Sequence, residues 1–161
     1  QPYAERPPVF FLTGRSGISD KVAAFSMGAE DYIVKPFDLL EFRARIMSKL
    51  ERARNWKEES ETFRIGGLLF DLAAQKAFID DRDLSLTTTE LKLLYRMARQ
   101  PNRVFSREQL LDAIWGQHIH VFDRTVDTHI YALRRKLSVL SPMIESVIGA
   151  GYRFNPADPA Q

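Results

Sequence analysis

The sequence predicts a small α/β unit followed by a larger α+β unit of antiparallel strands, helices and a terminal hairpin. Before residue 60, short apolar runs alternate with segments of helical periodicity, whereas after it short strand-like segments precede three helical ones. The stretch between them, RARNWKEESE at residues 52–61, is highly charged and holds neither glycine nor proline. It is typical of a helix end that runs into a linker. We therefore predict a domain at 1–52, a linker at 53–61, a second domain at 62–156 and a tail at 157–161.

The first unit is predicted to be a parallel strand–helix–strand–helix arrangement. Its elements, in chain order, are a strand at 9–12, a helix at 20–27, a strand at 32–34 and a long helix from residue 38. Asp38 and Glu41 form a capping box for the long helix. The apolar side chains of this helix recur at helical spacing, as Leu39, Phe42, Ile46 and Leu50. Two strands are too few to bury both faces of a parallel sheet, so this unit is incomplete as a core of its own.

The second unit is predicted to begin with a small antiparallel sheet over residues 63–85, where apolar segments alternate with polar turns. Two capping boxes then open helices, Thr87 with Glu90 and Ser106 with Gln109. We expect these helices to end near Arg99 and Trp115. A third helix follows at 124–139, and residues 144–148 and 152–155 form a hairpin around Gly149-Ala150-Gly151. Three helices followed by a hairpin make a winged-helix arrangement.

The third helix has one apolar face and one polar face. Its apolar stripe, which should anchor it on the other two helices, consists of Val126, Ile130, Leu133 and Leu137. The opposite face carries Arg124, Thr128, Tyr131 and Arg135, flanked by Thr125, His129, Ala132, Arg134 and Lys136. Cations that can pair with phosphates stand there beside small side chains that permit close approach to base edges. A major groove could accept this face, although a solvated basic face would look the same from charge alone.

Composition narrows the class of function. The formal net charge is only +2, but residues 124–137 hold four cations against Asp127 alone, so a footprint on nucleic acid would lie there. The absence of cysteine excludes disulfides, thiolate catalysis and cysteine-ligated zinc. No apolar run approaches the length of a membrane span, so a cytoplasmic protein is expected. His118, His120 and His129 lack a carboxylate partner at ligand spacing, so we predict no metal, no cofactor and no enzymatic activity.

Four motifs of the second unit resemble the OmpR/PhoB family of bacterial response regulators. They are LTTTELKLL at 86–94, SREQLLDAIWG at 106–116, DRTVDTHIYALRRKL at 123–137 and GAGYRF at 149–154. The resemblance implies a winged-helix effector domain whose recognition helix is residues 124–137. It also implies that this domain binds direct repeats in double-stranded promoter DNA. It places eight residues against phosphates, namely Arg103, Arg107, Trp115, Arg124, His129, Tyr131, Arg134 and Tyr152. It places Thr125, Thr128 and Ala132 against bases, and the loop from Gln117 to Phe122 against RNA polymerase.

Two positions depart from the family pattern. The best-studied members place an arginine in the minor groove from the wing, and the matching residue here is Ile148. A base-facing arginine of the helix is matched by Ala132. Since a good bidentate contact contributes about 1–3 kcal/mol of discrimination, we expect weaker specificity or a different site, A·T-rich through methyl contacts of Thr128 and Ala132.

Residues 8–50 resemble the second half of a receiver domain, so the first unit is expected to be an incomplete flavodoxin-like fold. Thr13 and Lys35 match the hydroxyl and ammonium that contact a phosphoryl group, Tyr32 matches the switch aromatic, and Lys35-Pro36 matches a cis peptide of the family. The phospho-acceptor aspartate and the acidic pair for Mg²⁺ have no counterpart here. We therefore expect no phosphorylation by this chain alone, and Thr13, Tyr32 and Lys35 as relics of the switch.

The resemblance also implies a homodimer, paired through the helix–strand–helix face. Lys21 would face Glu41 across the two subunits and Asp31 would face Arg45, with Val22 and Phe25 as the apolar centre. The leading hypothesis is thus a sequence-specific transcriptional regulator that dimerises through the shortened receiver. The alternative is a module that dimerises with or sequesters other response regulators and binds DNA weakly.

Overall fold

The computed structural model describes residues 9–29, 31–56, 62–116 and 124–156, without the side chains of residues 51–56 and 124. Strand β1 (Phe10–Thr13), helix α1 (Ile18–Ser26), strand β2 (Asp31–Val34) and helix α2 (Leu39–Trp56) form the first unit. The two strands are parallel, with Phe10 opposite Asp31 and Thr13 opposite Val34. The predicted strand–helix–strand–helix order is confirmed, and the Lys35-Pro36 peptide is cis as expected. Helix α2 continues four residues into the predicted linker.

The second unit begins with a four-stranded antiparallel sheet, as predicted. Its strands are β3 (Thr62–Ile65), β4 (Leu68–Asp71), β5 (Lys76–Ile79) and β6 (Arg82–Asp83), hydrogen-bonded in that order. Buried and half-buried side chains alternate along β4 and β5, so that Leu68, Phe70, Ala77 and Ile79 face the core. This sheet covers one side of the helices that follow.

Three helices and a three-stranded sheet complete the second unit. The helices are α3 (Thr88–Ala98), α4 (Arg107–Trp115) and α5 (Arg124–Leu137), and a short 3-10 helix (Ser138–Met143) follows α5. The strands are β7 (Val104–Phe105), β8 (Ile144–Val147) and β9 (Gly151–Phe154), in the order β7-β9-β8. The hairpin β8–β9 is the predicted wing, whereas β7 was not predicted, because two residues are too short for a periodic signal.

Both predicted capping boxes of the second unit are present. The Thr87 side chain accepts a hydrogen bond from the Glu90 N–H, and the Glu90 carboxylate accepts one from the Thr87 N–H. Ser106 and Gln109 make the same reciprocal pair at α4. Each box satisfies two donors that a helix start otherwise leaves unpaired, which fixes where α3 and α4 begin.

A single buried apolar cluster runs through both units. It includes Phe25 of α1, Tyr32 of β2 and Trp115 of α4 together with the apolar stripe of α5. The rings of Phe25 and Trp115 meet edge to face, with centroids 5.8 Å apart. The first unit therefore buries its apolar side chains against the second unit, because its own two strands and two helices are too few to cover them.

The apolar face of α2 differs from the prediction. Leu39 and Leu50 are 72% and 42% exposed, whereas Lys49 is buried. The Lys49 ammonium donates a hydrogen bond of 3.2 Å to the carbonyl oxygen of Ile114, at the end of α4. Helix α2 therefore contacts the second unit through Lys49, and this lysine is buried with a carbonyl oxygen that accepts its hydrogen bond.

Candidate nucleic-acid interface

Helix α5 lies with its predicted apolar stripe in the core. Val126, Ile130, Leu133 and Leu137 are each at most 1% exposed. This burial fixes the rotation of the helix about its axis, so the residues half a turn away must face outward. The polar face is therefore positioned by the packing of the opposite stripe.

Three of the four residues predicted on the polar face point away from the core. Tyr131 is 66% exposed, Arg135 is exposed and Thr128 is half-buried. Ala132, predicted beside them, is also half-buried. The side chain of Arg124 lies outside the described residues. The surface thus carries a guanidinium, a phenol and two small side chains along one line of α5, which is the chemistry that phosphates and base edges accept.

A network around Tyr152 ties the wing to α5. The Tyr152 hydroxyl donates to Oδ1 of Asp127 at 2.5 Å, and Arg107 Nε donates to the same oxygen at 2.6 Å. The guanidiniums of Arg107 and Arg134 lie over the Tyr152 ring, with Cζ 5.1 Å and 5.6 Å from its centroid. Arg134 also donates to the Ile144 carbonyl and to Ser146 Oγ. Strands β8 and β9 are consequently held against α5 by charged hydrogen bonds.

The electrostatics of this network favour the protonated forms of Arg107 and Tyr152. The hydrogen bond to Asp127 raises the pKa of Arg107, and burial together with Asp127 raises the pKa of Tyr152. Both side chains therefore keep their protons near neutral pH and act as donors. Arg103 stands at the edge of the same surface, exposed, with its guanidinium 4.7 Å from the centroid of Phe105 and a hydrogen bond to Gln100.

Four residues expected to face DNA are buried in this structure, and one of them is Tyr152, which is 5% exposed within the network described above. Trp115, Thr125 and His129 are each 1% exposed. The rings of Trp115 and His129 are 5.5 Å apart, and Phe25 meets Trp115 from the other side. Helix α1 packs against α5 here, so the first unit covers the flank of the recognition helix that carries Thr125 and His129. These two side chains and Trp115 are accordingly not presented to a ligand while α1 lies there.

The residues predicted for dimerisation also have partners within one chain. Asp31 is fully buried, and Arg45 NH1 lies 3.4 Å from its carboxylate oxygens. Arg45 NH2 donates to Glu41 at 2.7 Å. Burial opposes the charge of Arg45, but the Glu41 hydrogen bond and the Asp31 carboxylate outweigh it and raise the pKa of Arg45. The pairing predicted between subunits, Asp31 with Arg45, is thus satisfied within the chain, as is the burial of Phe25.

Lys21 and Val22 remain half-buried on α1, beside a shallow cavity that α1, β2 and α2 enclose. Phe25, Tyr32, Phe37 and Phe42 contribute to its apolar lining, and Lys21, Glu41 and Arg45 contribute charged groups. This face keeps an apolar floor and a charged rim, which are features of protein interfaces.

Comparison with known proteins places the chain in a family. The model for "Transcriptional regulatory protein, C terminal" matches residues 81–154. The phosphate regulon transcriptional regulatory protein PhoB of Rhizobium meliloti is 40% identical over 154 residues, which cover 94% of this chain and 67% of that protein. The chain belongs to the OmpR/PhoB family of response regulators. The chain spans about two thirds of the length of the curated relatives it matches. It covers 65% of several others, among them PhoB of Klebsiella pneumoniae.

Solved structures of OmpR/PhoB proteins agree with this assignment. A mutant of RitR matches 92% of this chain and 66% of its own, with a TM-score of 0.71 and 27% identity. The DNA-binding domain of Klebsiella pneumoniae RstA, solved in complex with the RstA box, matches 61% of this chain and 100% of its own, with a TM-score of 0.54 and 28% identity. The predicted fold class is confirmed, and the family is one of transcriptional regulators rather than enzymes.

In this OmpR/PhoB chain, the receiver-like residues form no charged cluster. Thr13 Oγ1 accepts a hydrogen bond from the Arg15 N–H, and the Tyr32 hydroxyl donates to the Arg15 carbonyl at 2.7 Å. Lys35 is exposed. Within the described ranges, no three histidine or acidic side chains meet in a way that could hold a metal ion. No helix among those described is both long and apolar enough to cross a membrane.

Sequence reasoning missed two features of the interface. Asp127, which joins Arg107 to Tyr152, carried a signal as the one acidic residue of a basic helix. The cover that α1 places over Thr125 and His129 had no local signal, because it joins residues about a hundred positions apart. The loop from Gln117 to Phe122, with His118 and His120, lies outside the described residues.

Proposed function

We propose that this OmpR/PhoB chain is a sequence-specific DNA-binding transcriptional regulator, with α5 as its recognition helix. The observation that carries the proposal is the outward line of Thr128, Tyr131 and Arg135 on a helix fixed by its buried stripe. The exposed side of such a helix fits into a major groove. Two similar DNA-binding domains were solved in complex with DNA, that of RstA with an RstA box and that of AdeR with an intercistronic region.

Phosphate contacts are assigned to the cations around the outward face. Arg103, Arg107 and Arg134 surround the wing with Tyr152, and Arg135 extends the row along α5. We also propose Arg124 for this row. Cations in these positions fix the register on the duplex and carry the salt dependence of binding, but they do not read sequence.

Base readout is assigned to Thr128 and Ala132 on the exposed side of α5, and to Thr125 once α1 has moved away. Methyl groups at these positions suit the thymine methyl, which favours A·T-rich sites. Ile148 at the wing tip is fully exposed and brings no charge to the minor groove. Recognition should therefore depend on α5 more than on the wing.

The test is duplex binding measured against salt. Replacing Arg135 with alanine should weaken binding to every sequence alike and reduce the slope of log K against log salt by about one, because one phosphate contact is lost. Arg64→Ala is the matched control, since Arg64 is an exposed cation of β3 on the other sheet. Thr128→Val should instead change the preferred sequence with little change of slope. Equal behaviour of the Arg135 and Thr128 variants would refute this orientation of α5.

We further propose that the chain acts in the cytoplasm as a homodimer that binds promoter direct repeats. In this proposal the chain is not itself phosphorylated. The face with Lys21, Val22 and Glu41 supports the dimer by its apolar floor and charged rim. Contact of the loop from Gln117 to Phe122 with RNA polymerase belongs to the same proposal. Two linked winged helices would add avidity without any new DNA contact.

One observation favours a second candidate function. Because α1 covers Thr125 and His129, this conformation offers DNA only part of α5. A chain kept in this state would bind DNA weakly and act mainly by pairing with other response regulators. A duplex shift that disappears with salt but never depends on sequence would favour this second function.

A further inference from the structure

We propose that the contact between α1 and α5 is a proton-sensitive latch, which His129 opens in acid to uncover the recognition helix. The proposal rests on the DNA-binding function above, since it assigns a regulation to the same helix. The ligand is the proton, and His129 is the side chain that binds it.

His129 is buried between the recognition helix and its neighbours. It lies on the flank of α5 that α1 covers, stacked near Trp115, which in turn contacts Phe25. Phe25 is therefore the α1 side chain that reaches the aromatic contact beside His129, and His129 is 1% exposed. Within the described part of the chain, neither Nδ1 nor Nε2 of His129 has a hydrogen-bond partner.

A buried imidazole without partners tolerates only its neutral form. A charged group loses its hydration on burial, and nothing here replaces that hydration. Burial first, and the positive charge of Lys136 second, lower the pKa of His129 to about 4. In the released state the ring meets water, and its pKa returns to about 6.5.

The other charged groups around the latch do not compensate. Lys21 stands on α1, and Lys49 of α2 is bonded to the Ile114 carbonyl. On the winged-helix side, Glu90 of α3 is engaged with Lys136 at 2.6 Å, and Asp127 is engaged with Arg107. The charge that acts on His129 is that of Lys136, which opposes a proton on the ring and so favours release.

The direction with pH follows from the two pKa values. The latched state has the lower pKa, so it is fully stable above about pH 6.5 and loses stability as the pH falls toward 4. Between pH 7.5 and pH 5.5 the ratio of released to latched molecules should rise about tenfold. Released, protonated His129 would also attract a DNA phosphate, so both effects favour binding in acid.

The absence of cysteine makes a direct test possible. A single cysteine at Thr125→Cys, under α1, reacts with a neutral thiol reagent only when the latch opens. Tyr131→Cys, on the same helix and 66% exposed, reports the intrinsic effect of pH on the thiol. The experiment uses the full chain with His118→Gln and His120→Gln, so that His129 is its one histidine, and it contains no DNA.

The ratio of the two labelling rates should rise about tenfold from pH 7.5 to pH 5.5 with His129 present. With His129→Gln, which has no proton to gain, the ratio should stay constant. Phe25→Ala should raise labelling of the Thr125 position at both pH values, which shows that α1 is the cover. A ratio that does not change with pH, an equal change in the His129→Gln chain, or protection that survives Phe25→Ala would each overturn the latch. Because no DNA is present, failure of DNA binding would leave these results unaffected, and the two proposals fail separately.

Discussion

At the scale of single residues, Tyr152 is the side chain on which the wing depends. Its hydroxyl bonds Asp127, and its ring lies between two guanidiniums that themselves bond α5 and β8. An aromatic ring with a polar tip can make both kinds of contact at once. Tyr152 therefore joins the wing to the recognition helix through both its hydroxyl and its ring, beside the bonds that Arg134 makes to β8.

Replacing Tyr152 with phenylalanine should keep the ring and remove the bond to Asp127. We expect the free energy of unfolding to fall by about 1 kcal/mol, because a half-buried carboxylate loses one of its two donors. Tyr131→Phe, which removes a hydroxyl from an exposed ring, should change it by less than about 0.5 kcal/mol. Urea unfolding of both variants checks this, and equal effects would show that the Asp127 bond does not hold the wing.

At the scale of elements, the helices with side-chain caps were predicted within two residues. Thr87 and Ser106 mark the starts of α3 and α4, because a cap is a local signal that needs no tertiary partner. The buried stripe of α5 was also predictable, since its period is a property of the helix alone. The outward face that forms the candidate site then followed by geometry.

What could not be predicted depends on contacts between distant elements. The apolar spacing of α2 predicted a buried face, yet Leu39 and Leu50 are exposed. Lys49 is buried instead, and the carbonyl of Ile114 in α4 accepts its hydrogen bond. Thr125 and His129 matched DNA-facing positions, yet α1 covers them. No window of sequence contains both partners of such a contact, so periodicity cannot reveal it.

The two caps offer a matched pair of mutations. Ser106→Ala should lower the free energy of unfolding by about 1 kcal/mol, the usual cost of a lost cap. Thr87→Ala should cost more, because the methyl of Thr87 also lies against Gly28, at the end of α1, and helps join the two units. Thermal unfolding of the two variants checks the order. A smaller effect at Thr87 would mean that the contact with Gly28 adds no stability.

At the scale of the whole molecule, the two units share one buried core, and α1 contributes to it the face that was expected to form the dimer. Phe25 of α1 was expected at the centre of a dimer, but in this structure it packs on Trp115 of the same chain. The same face cannot do both at once. Lys21, Val22 and Glu41, which line or border the open cavity, remain for a partner.

Solution mass across a wide concentration range, without a phosphodonor, decides whether this face pairs two chains. We expect a dimer that Lys21→Glu alone and Glu41→Lys alone each weaken, since a like-charge contact then occurs twice across the two-fold axis. Mixing the two variants should restore the dimer, because both contacts of the mixed pair join opposite charges, each worth up to about 1 kcal/mol. Lys21→Glu tests the pairing more cleanly than reversal of Arg45, which would also break the bonds to Asp31 and Glu41 within the chain. Glu41→Lys also removes the bond to Arg45, so the mixed pair is its control. A monomer at every concentration would overturn the dimer and leave a winged helix that acts alone.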